Sequence, residues 1–435
     1  MSRAPQAGFL EDPAYFEDHY LVGQLPKAKS VSPNTKSLLS RSIVISSSAM
    51  ADDVAIRVVR KMSELSRHQW DSLAGATTPF AKWDWLDSLE QSGCVNEESG
   101  WLPHHVVAEQ AGDLVAACPM YLKLHSMGEF VFDYEWAEAA HRAGIQYYPK
   151  MLVGIPFTPV TGQRFFTAAG AQRGPLIRLM GQALSKIAAE NKISSVHVNF
   201  CLPDEREALE QVGFFPRMGI QFHWQNRGFQ SFDDYLGSFR SDRRNKVKRE
   251  RREMERRGIT IRAYEGEELT QKHLRTMFRL YKNHVDRLYY GRLYLTQHFF
   301  DELHRRFAAN LCLMLAERGG KIIAGTFNVR DHVAMYGRYW GAFEEHPFLH
   351  FNVCYYSAIE HSIAKGLERF EAGAGGSFKQ LRGLDPQHTT SAHYIVDGNF
   401  RRAVERFLIQ EREMIRRKRD LLLDHSQIKP EHQEP

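Results

Sequence analysis

The sequence AEQAGDLVAA at residues 108–117 is matched later in the chain by AERGGKIIAG at residues 316–325. In both stretches an apolar segment ends in Ala-Glu, passes through glycine and continues as a second apolar segment. Glycine supplies the backbone conformation of a tight turn, so each stretch predicts a β-hairpin. A hairpin that occurs twice in 435 residues indicates two structurally related halves.

The segments after the two hairpins also come in the same order. In the first half, a helix predicted over 176–190 leads into a strand over 195–200. In the second half, a helix over 353–365 leads into a strand over 367–372, and each helix follows a further apolar strand. Strands and helices that alternate in this way predict an α/β fold with mixed sheets.

The two halves differ in length. Ala116 and Ile187 are 71 residues apart, whereas Ala324 and Ile363 are 39 apart. The first half therefore contains an insertion, predicted at about residues 124–155 and rich in aromatic residues, which either lines a substrate cleft or packs as a small subdomain. The predicted domains are a flexible N-terminal extension (1–51), a first domain (52–226), a second domain that starts with a basic helix (227–425) and a tail (426–435).

Composition favours a soluble globular protein, with 43% hydrophobic and 25% charged residues and a net charge of +5. Cys94, Cys118, Cys201, Cys312 and Cys354 lie far apart without a CxxC pair, which predicts reduced core residues rather than a zinc site or disulfides. The chain has no apolar run of about 18 residues and no secretory signal. We therefore expect a cytoplasmic protein without stable membrane insertion.

Positive charge is concentrated in RSDRRNKVKRERREMERR, residues 240–257, which holds ten Lys and Arg against four Asp and Glu. The segment is predicted to be a helix that ends at Gly258. One interpretation is a solvated helix with ion pairs between neighbouring turns. The other, favoured by the one-sided charge, is a site for the phosphates of a donor, with Arg243, Arg244, Lys246 and Lys248 as candidate residues.

The usual nucleophile and nucleotide motifs, such as G-x-S-x-G, HExxH and the P-loop, are absent from the sequence. Transfer of an activated acyl group to an amine needs none of them, because the protein must only position the amine, help to remove its proton and stabilise the oxyanion. The best candidate region is the loop after the strand over 367–372. Its candidate residues are Gly373, Gly375 and Gly376 for the donor, and Lys379 and Arg382 as charge stabilisers or, alternatively, as ordinary surface charges.

Residues 336–341 form an aromatic strand interrupted by glycines, as at a β-bulge. Aromatic side chains in strands usually belong to a core. The alternative is that Tyr339 and Trp340 line the acceptor site.

Six stretches carry a resemblance to a known family: GWLPH (100–104), KLHSMGEFVFD (123–133), YYPK (147–150), PFTPVTGQR (156–164), KQLRG (379–383) and SAH (391–393). With them, the chain resembles the FemAB-like branch of the GNAT-type acyltransferase superfamily over about residues 56–416. The resemblance implies two tandem GNAT-like acyl-CoA N-acyltransferase-type domains. It also implies transfer of an acyl or aminoacyl group to an amine, such as that of a cell-wall precursor.

On this hypothesis the insertion holds the acceptor. His125, Glu129 and Asp133 are expected near the acceptor amine, and Glu129 or Asp133 would take its proton if its pKa is raised. The residues expected to line the acceptor site are Tyr147, Tyr148 and Phe157.

The donor stays open between acyl-CoA and aminoacyl-tRNA, either of them a cosubstrate rather than a permanently bound cofactor. Acyl-CoA enzymes normally cradle pyrophosphate with Q/R-x-x-G-x-G/A at a helix start. Residues 341–351 show nothing like it, and QRGPLI at 172–177 lacks the second glycine. No metal is expected. The alternative function is a non-catalytic binding module for an anionic partner, such as tRNA, a nucleotide-linked precursor or a membrane surface touched peripherally.

Overall fold

The computed structural model describes residues 43–45, 54–75, 78–288, 291–429 and 432. The strands are β1 (Ile43–Ile45), β2 (Val54–Val59), β3 (Trp101–Pro103), β4 (His105–Gln110), β5 (Asp113–Cys118), β6 (Met120–Lys123), β7 (Lys150–Val153), β8 (Phe166–Thr167), β9 (Ser195–Val198), β10 (Phe215–Gln225), β11 (Ile259–Glu265), β12 (Leu311–Arg318), β13 (Lys321–Arg330), β14 (Ala334–Ala342), β15 (Arg369–Glu371) and β16 (Asp385–Ile395). The helices are α1 (Arg67–Ala74), α2 (Trp83–Gln91), α3 (Tyr134–Arg142), α4 (Arg173–Glu190), α5 (Pro203–Glu210), α6 (Phe232–Gly237), α7 (Ser241–Arg256), α8 (Gln271–Val285), α9 (Gln297–Arg306), α10 (Leu349–Phe351), α11 (Ser357–Ala364) and α12 (Gly398–Asp424).

These residues divide into two units. The described part of the first unit lies within 43–219 and 388–416, and that of the second within 220–387 and 417–432. The boundary predicted after residue 226 therefore differs from the structure, because the chain returns to the first unit at His388.

Both predicted ends of the chain also differ from the structure where it describes them. Of the extension predicted as flexible, residues 43–45 form β1, which pairs with β2, and the rest lies outside the described residues. In the predicted tail, Ile428 is buried and bridges to Phe239 within the second unit.

The first unit contains strands in the order β1-β2-β4-β5-β8 and strands in the order β3-β6-β7-β9-β16. The predicted hairpin is β4 and β5, whose turn places Ala111 and Gly112 at positive φ. Helix α4 buries Leu176, Met180 and Leu184 in the core against these strands. After the hairpin, β7 and β9 pair in parallel.

The aromatic insertion lies between β6 and β7 and contains α3. Its side chains Trp136, Ala140 and Tyr147 form a hydrophobic cluster with Phe400 and Leu408 of α12. This contact explains why residues 388–416 belong to the first unit. The insertion is therefore packed against α12 within the first unit.

The second unit contains strands in the order β11-β12-β13-β14-β15-β10. Its predicted hairpin is β12 and β13, which turns through Gly319 and Gly320. The register shifts between Ala316 and Glu317, as it does between Ala108 and Glu109 in the first hairpin. A parallel pair, β14 and β15, again follows. The two halves therefore share not only the predicted hairpin but also the shift of strand register at its Ala-Glu step.

Within the described residues, no helix is both long and apolar enough to cross a bilayer. The cysteines are free thiols, and all but the half-buried Cys354 are fully buried, as expected for core residues.

We expect Gly341→Ala to destabilise the second unit, because α8 lies directly against β14 there. A Cβ at position 341 would stand 2.0 Å from the carbonyl oxygen of Leu280, and backbone cannot move aside as a side chain can. The free energy of unfolding should fall by about 3 kcal/mol, measured by urea denaturation. Gly237→Ala in α6 is the matched control, since its Cβ would meet nothing within 4 Å and should be neutral or stabilising. An unchanged midpoint for Gly341→Ala would contradict this packing.

Candidate functional site

Four charged side chains of the first unit are buried together, and we call Lys123, Glu129, Asp133 and Lys150 the buried charge cluster. Lys150 is 0% exposed, and its Nζ donates to Glu129 Oε2 at 2.8 Å and to Asp133 Oδ2. Tyr147 donates its hydroxyl to Asp133 Oδ2 at 2.6 Å. The structure thus brings the two predicted carboxylates together, around a lysine that the sequence did not single out.

The two carboxylates of the cluster differ in acidity. Burial raises the pKa of Glu129 to about 7, although the Lys150 ammonium opposes the shift. Burial also acts on Asp133, but Lys150 and His197 hold its pKa below the usual range. Glu129 Oε1 makes no hydrogen bond among the described residues, and Lys123 Nζ lies 3.8 Å from it. Glu129 is therefore the member that can change protonation near neutral pH.

A chain of neutral side chains adjoins this cluster. His197 Nδ1 lies 2.8 Å from His393 Nδ1, and each ring bonds a serine hydroxyl through Nε2, Ser195 at 2.8 Å and Ser391 at 2.9 Å. Burial and the Lys150 ammonium lower the pKa of His197 to about 3, so the pair is uncharged at neutral pH. The two imidazoles must then be opposite tautomers. Sequence analysis noted the stretch around His393 but not this pairing, because His197 is distant in sequence.

The remaining predicted residues of the insertion have structural contacts. His125 packs against Gly100 and accepts the Met127 N–H at 3.2 Å. Phe157 is buried beside Trp101. Tyr148 shares a hydrogen bond of 2.7 Å with Ser126. Tyr147 and Phe157 thus lie in packed surroundings rather than on an open acceptor surface.

The distinctive stretch 156–164 fills the space beyond the parallel pair β7 and β9. Arg164 is buried and donates to the carbonyl oxygens of Asn199 at 2.7 Å and Gly162 at 3.1 Å, among others. The Gly162 N–H donates in turn to Phe200 O at 3.1 Å. The end of the first-half strand pair is therefore closed by its own loop.

The equivalent pair in the second unit ends differently. Strands β14 and β15 pair in parallel from Ala334–Arg369 to Tyr336–Glu371, after which β14 continues to Ala342 without β15. The chain beyond Glu371 passes through Gly373, Gly375 and Gly376, all at positive φ. We call residues 373–376 the glycine loop and the divergence of the two strands the β14–β15 opening.

Lys379 and Arg382 lie in the short helix Ser377–Arg382 beside this loop. Lys379 is 1% exposed, and its Nζ donates to Gly373 O at 2.9 Å and Ala374 O at 3.0 Å. Arg382 is also buried, and its guanidinium lies 3.3 Å from the centroid of the Phe351 ring. Neither is a surface charge, so that alternative is wrong. Their role as charge stabilisers stays a prediction.

The predicted basic helix is α7, and its four candidate residues do not share one face. Arg243 is buried, lies 3.8 Å from Glu250 and donates to Leu381 O. Arg244 is half-buried, whereas the Lys246 and Lys248 side chains are 49% and 50% exposed. Arg243 therefore holds the helix against residues 377–382, and the other three remain accessible to an anion.

The two predicted aromatic residues of β14 pack on different helices. The Trp340 ring lies 5.0 Å from His350 in α10, and the Tyr339 ring lies 4.7 Å from Tyr281 in α8. Both are half-buried. Trp340 thus borders the face of the sheet that carries α10, and Tyr339 the opposite face.

His223 and Glu371 are cross-strand partners on β10 and β15, and neither was among the predicted site residues. The distance from His223 Nε2 to Glu371 Oε2 is 3.7 Å. Burial lowers the pKa of His223; the Glu371 carboxylate opposes this shift, and the Arg369 cation adds to it. A signal in sequence was the position of Glu371 two residues before the glycine loop.

Glu265, Cys312 and His361 place potential metal ligands within 4.8 Å of one another. Glu265 is already ion-paired with Arg330 at 2.8 Å and with Lys365, and burial raises the pKa of the Cys312 thiol to about 12. The group is therefore better explained as an ion-pair network.

Comparison with known families decides the class of protein. The model of the FemAB-like family, described as peptidoglycan biosynthesis/recognition, matches residues 61–429. The chain belongs to the FemAB-like family. The resemblance found in the sequence is thus confirmed, and with it the prediction of a transferase of this kind. No curated protein matches the chain in sequence.

Solved structures agree on the fold. FemX superposes with a TM-score of 0.51 at 14% identity, covering 78% of this chain and 98% of FemX. L-PGS from Bacillus licheniformis gives 0.46 at 9% identity, covering 76% and 92%. A tandem GNAT protein from the clavulanic acid biosynthesis pathway gives 0.43 at 9% identity, covering 79% and 99%. The predicted α/β fold with mixed sheets is confirmed.

Glu129→Gln should change how stability depends on pH. The Glu129 pKa is about 7 in the folded chain against 4.5 as its ordinary value, so the folded state binds more protons between these values. The wild-type free energy of unfolding should fall relative to that of the variant, by up to about 3 kcal/mol, as the pH rises through this range. Urea denaturation at about pH 5 and about pH 8 measures the difference.

The control for this titration is Glu190→Gln, since the Glu190 side chain is 53% exposed on α4. It should follow the wild type at both pH values. A stability difference between wild type and Glu129→Gln that is the same at both pH values would show that Glu129 does not titrate near neutrality.

Proposed function

We propose that this chain transfers an aminoacyl group to an amine and that the reaction takes place at the β14–β15 opening. The observation that most supports this proposal is the difference between the ends of the parallel strand pairs in the two halves. The first-half strand pair is closed by the 156–164 loop with Arg164, whereas β14 extends past its last β15 partner beside the glycine loop. Backbone N–H groups at a strand edge and a glycine loop can stabilise the oxyanion that forms during acyl transfer.

Charge near the opening supports aminoacyl-tRNA over acyl-CoA as the donor. The segment between β14 and α10 carries Glu344 and Glu345, which precede the helix start at Leu349, where a coenzyme pyrophosphate would need N–H donors. These carboxylates are ion-paired with Arg318 at 3.2 Å and Arg287 at 3.0 Å. Carboxylates in the segment before the helix are unfavourable for pyrophosphate.

The accessible side of α7 supports phosphate binding in the same unit as the opening. Residues 377–382 connect the two, because Arg243 of α7 donates to Leu381 O and Lys379 donates to Gly373 O. Arg244, Lys246 and Lys248 would bind tRNA phosphates, and Lys379 would hold the glycine loop around the ester carbonyl. A charged-tRNA donor would place the reaction in the cytoplasm.

The family description supports an amine of a peptidoglycan precursor as acceptor. The amine nitrogen would attack the ester carbonyl held at the opening. His125, Glu129 and Asp133 would contribute by shaping the first unit rather than by meeting the amine, since Glu129 and Asp133 are buried around Lys150.

The double variant Arg244→Glu and Lys246→Glu should weaken binding of a charged tRNA pool by about tenfold or more. It should also flatten the salt dependence of binding, because fewer phosphate contacts release fewer counterions. Filter binding across a salt series measures both effects, with an acyl-CoA titration alongside.

The matched control is Arg142→Glu with Lys186→Glu, two exposed helical cations of the first unit, which should bind tRNA like the wild type. Saturable acyl-CoA binding without tRNA binding would replace the proposed donor. Tight tRNA binding without transfer to any peptidoglycan-type amine would favour the non-catalytic binding module.

A further inference from the structure

Adjacent residues of β15 face opposite sides of the sheet at the β14–β15 opening. Phe370 is fully buried in the hydrophobic cluster that also contains Val247 and Met254 of α7 and Ile359 of α11. Side chains alternate along a strand, so Glu371 faces the other side. The opening therefore has one face covered by α7 and α11 and another that presents Glu371.

The carboxylate of Glu371 is satisfied on one oxygen only. Oε1 accepts from Arg369 Nε at 2.9 Å, and Arg369 also donates to the Tyr336 hydroxyl at 3.1 Å. Oε2 has no hydrogen-bond partner among the described residues, although the side chain is only 5% exposed. A buried carboxylate oxygen without a donor is costly unless a ligand supplies one.

The His223 imidazole beside this oxygen does not neutralise it. His223 Nε2 lies 3.7 Å away, beyond hydrogen-bond distance. Burial lowers the pKa of His223, and the Arg369 and Lys379 cations lower it further, so the imidazole is neutral at physiological pH. Oε2 is thus held in a dry, positively biased site, at the residue where β14 and β15 separate.

We propose that Glu371 is the general base of the transfer and that the acceptor amine enters on the sheet face opposite α7. This inference rests on the proposed function and adds to it the catalytic residue and the direction of approach. The amine nitrogen forms a bond to the ester carbonyl carbon, and the bond from that carbon to the leaving oxygen breaks. The proton lost by nitrogen passes to Glu371 Oε2, and the carboxylic acid then protonates the leaving oxygen.

The experiment is single-turnover transfer from a radiolabelled charged tRNA pool to a peptidoglycan-type peptide with a free amine. Glu371→Gln keeps the shape of the side chain but cannot accept a proton, so transfer should slow by about 10²- to 10⁴-fold, while tRNA affinity stays within about twofold. Glu371→Asp keeps a carboxylate and should retain the wild-type dependence of rate on pH. Glu368→Gln, an exposed neighbour, is the matched control and should transfer like the wild type.

A second acceptor separates catalysis from folding. Hydroxylamine is a weakly basic nucleophile that attacks esters with little need of a base, so the defect of Glu371→Gln should largely disappear with it. A variant that transfers to the peptide at the wild-type rate, or is equally slow with both acceptors, would overturn the role of Glu371. Absence of transfer by the wild-type chain would instead refute the proposed function, which keeps the two failures distinct.

Discussion

Where two parallel strands separate inside a sheet, the backbone groups on their facing edges lose their partners, and buried backbone groups must be satisfied somehow. Both halves of this chain reach that point after the same hairpin. In the first half, a loop returns and Arg164 donates to carbonyl oxygens that include that of Asn199. In the second half, the chain continues from β15 into the glycine loop, where Lys379 Nζ donates to the carbonyl oxygen of Gly373. The end of the parallel strand pair is thus covered by a loop in the first half and left open in the second half.

The distribution of buried charge follows the same division. In the first unit, two lysines and two carboxylates are buried together, and their charges largely compensate one another. Burying such charges costs desolvation free energy, and removing one partner would strongly destabilise the fold. In the second unit, Glu371 keeps one oxygen without a donor. The charges of the first-unit cluster are paired with one another inside a core, whereas the Glu371 carboxylate lies where two strands separate. The acceptor roles first assigned to Glu129 and Asp133 therefore fit the structure less well than a structural role does.

The repeat could be predicted from the sequence alone, because hairpins, glycine turns and helix periodicity are local signals. The glycine loop and the basic helix could also be located from the sequence. The pairing of Lys150 with Asp133 and that of His223 with Glu371 could not be predicted from the sequence, since these contacts join residues that are not neighbours in sequence. Charge in a sequence also carries no information on burial, so Arg243 and Arg382 were expected in contact with ligands but pack inside. The return of residues 388–416 to the first unit had no local signal at all.

The return of residues 388–416 to the first unit has a consequence for folding during synthesis. The first unit needs β16 to pair with β9, and α12 to cover the insertion through Phe400 and Leu408. Domains commonly fold from the N-terminus during synthesis. Here the ribosome must translate the second half before the first can finish its core. The early chain would emerge with the aromatic insertion uncovered, and the first unit could complete its core only after α12 has been translated.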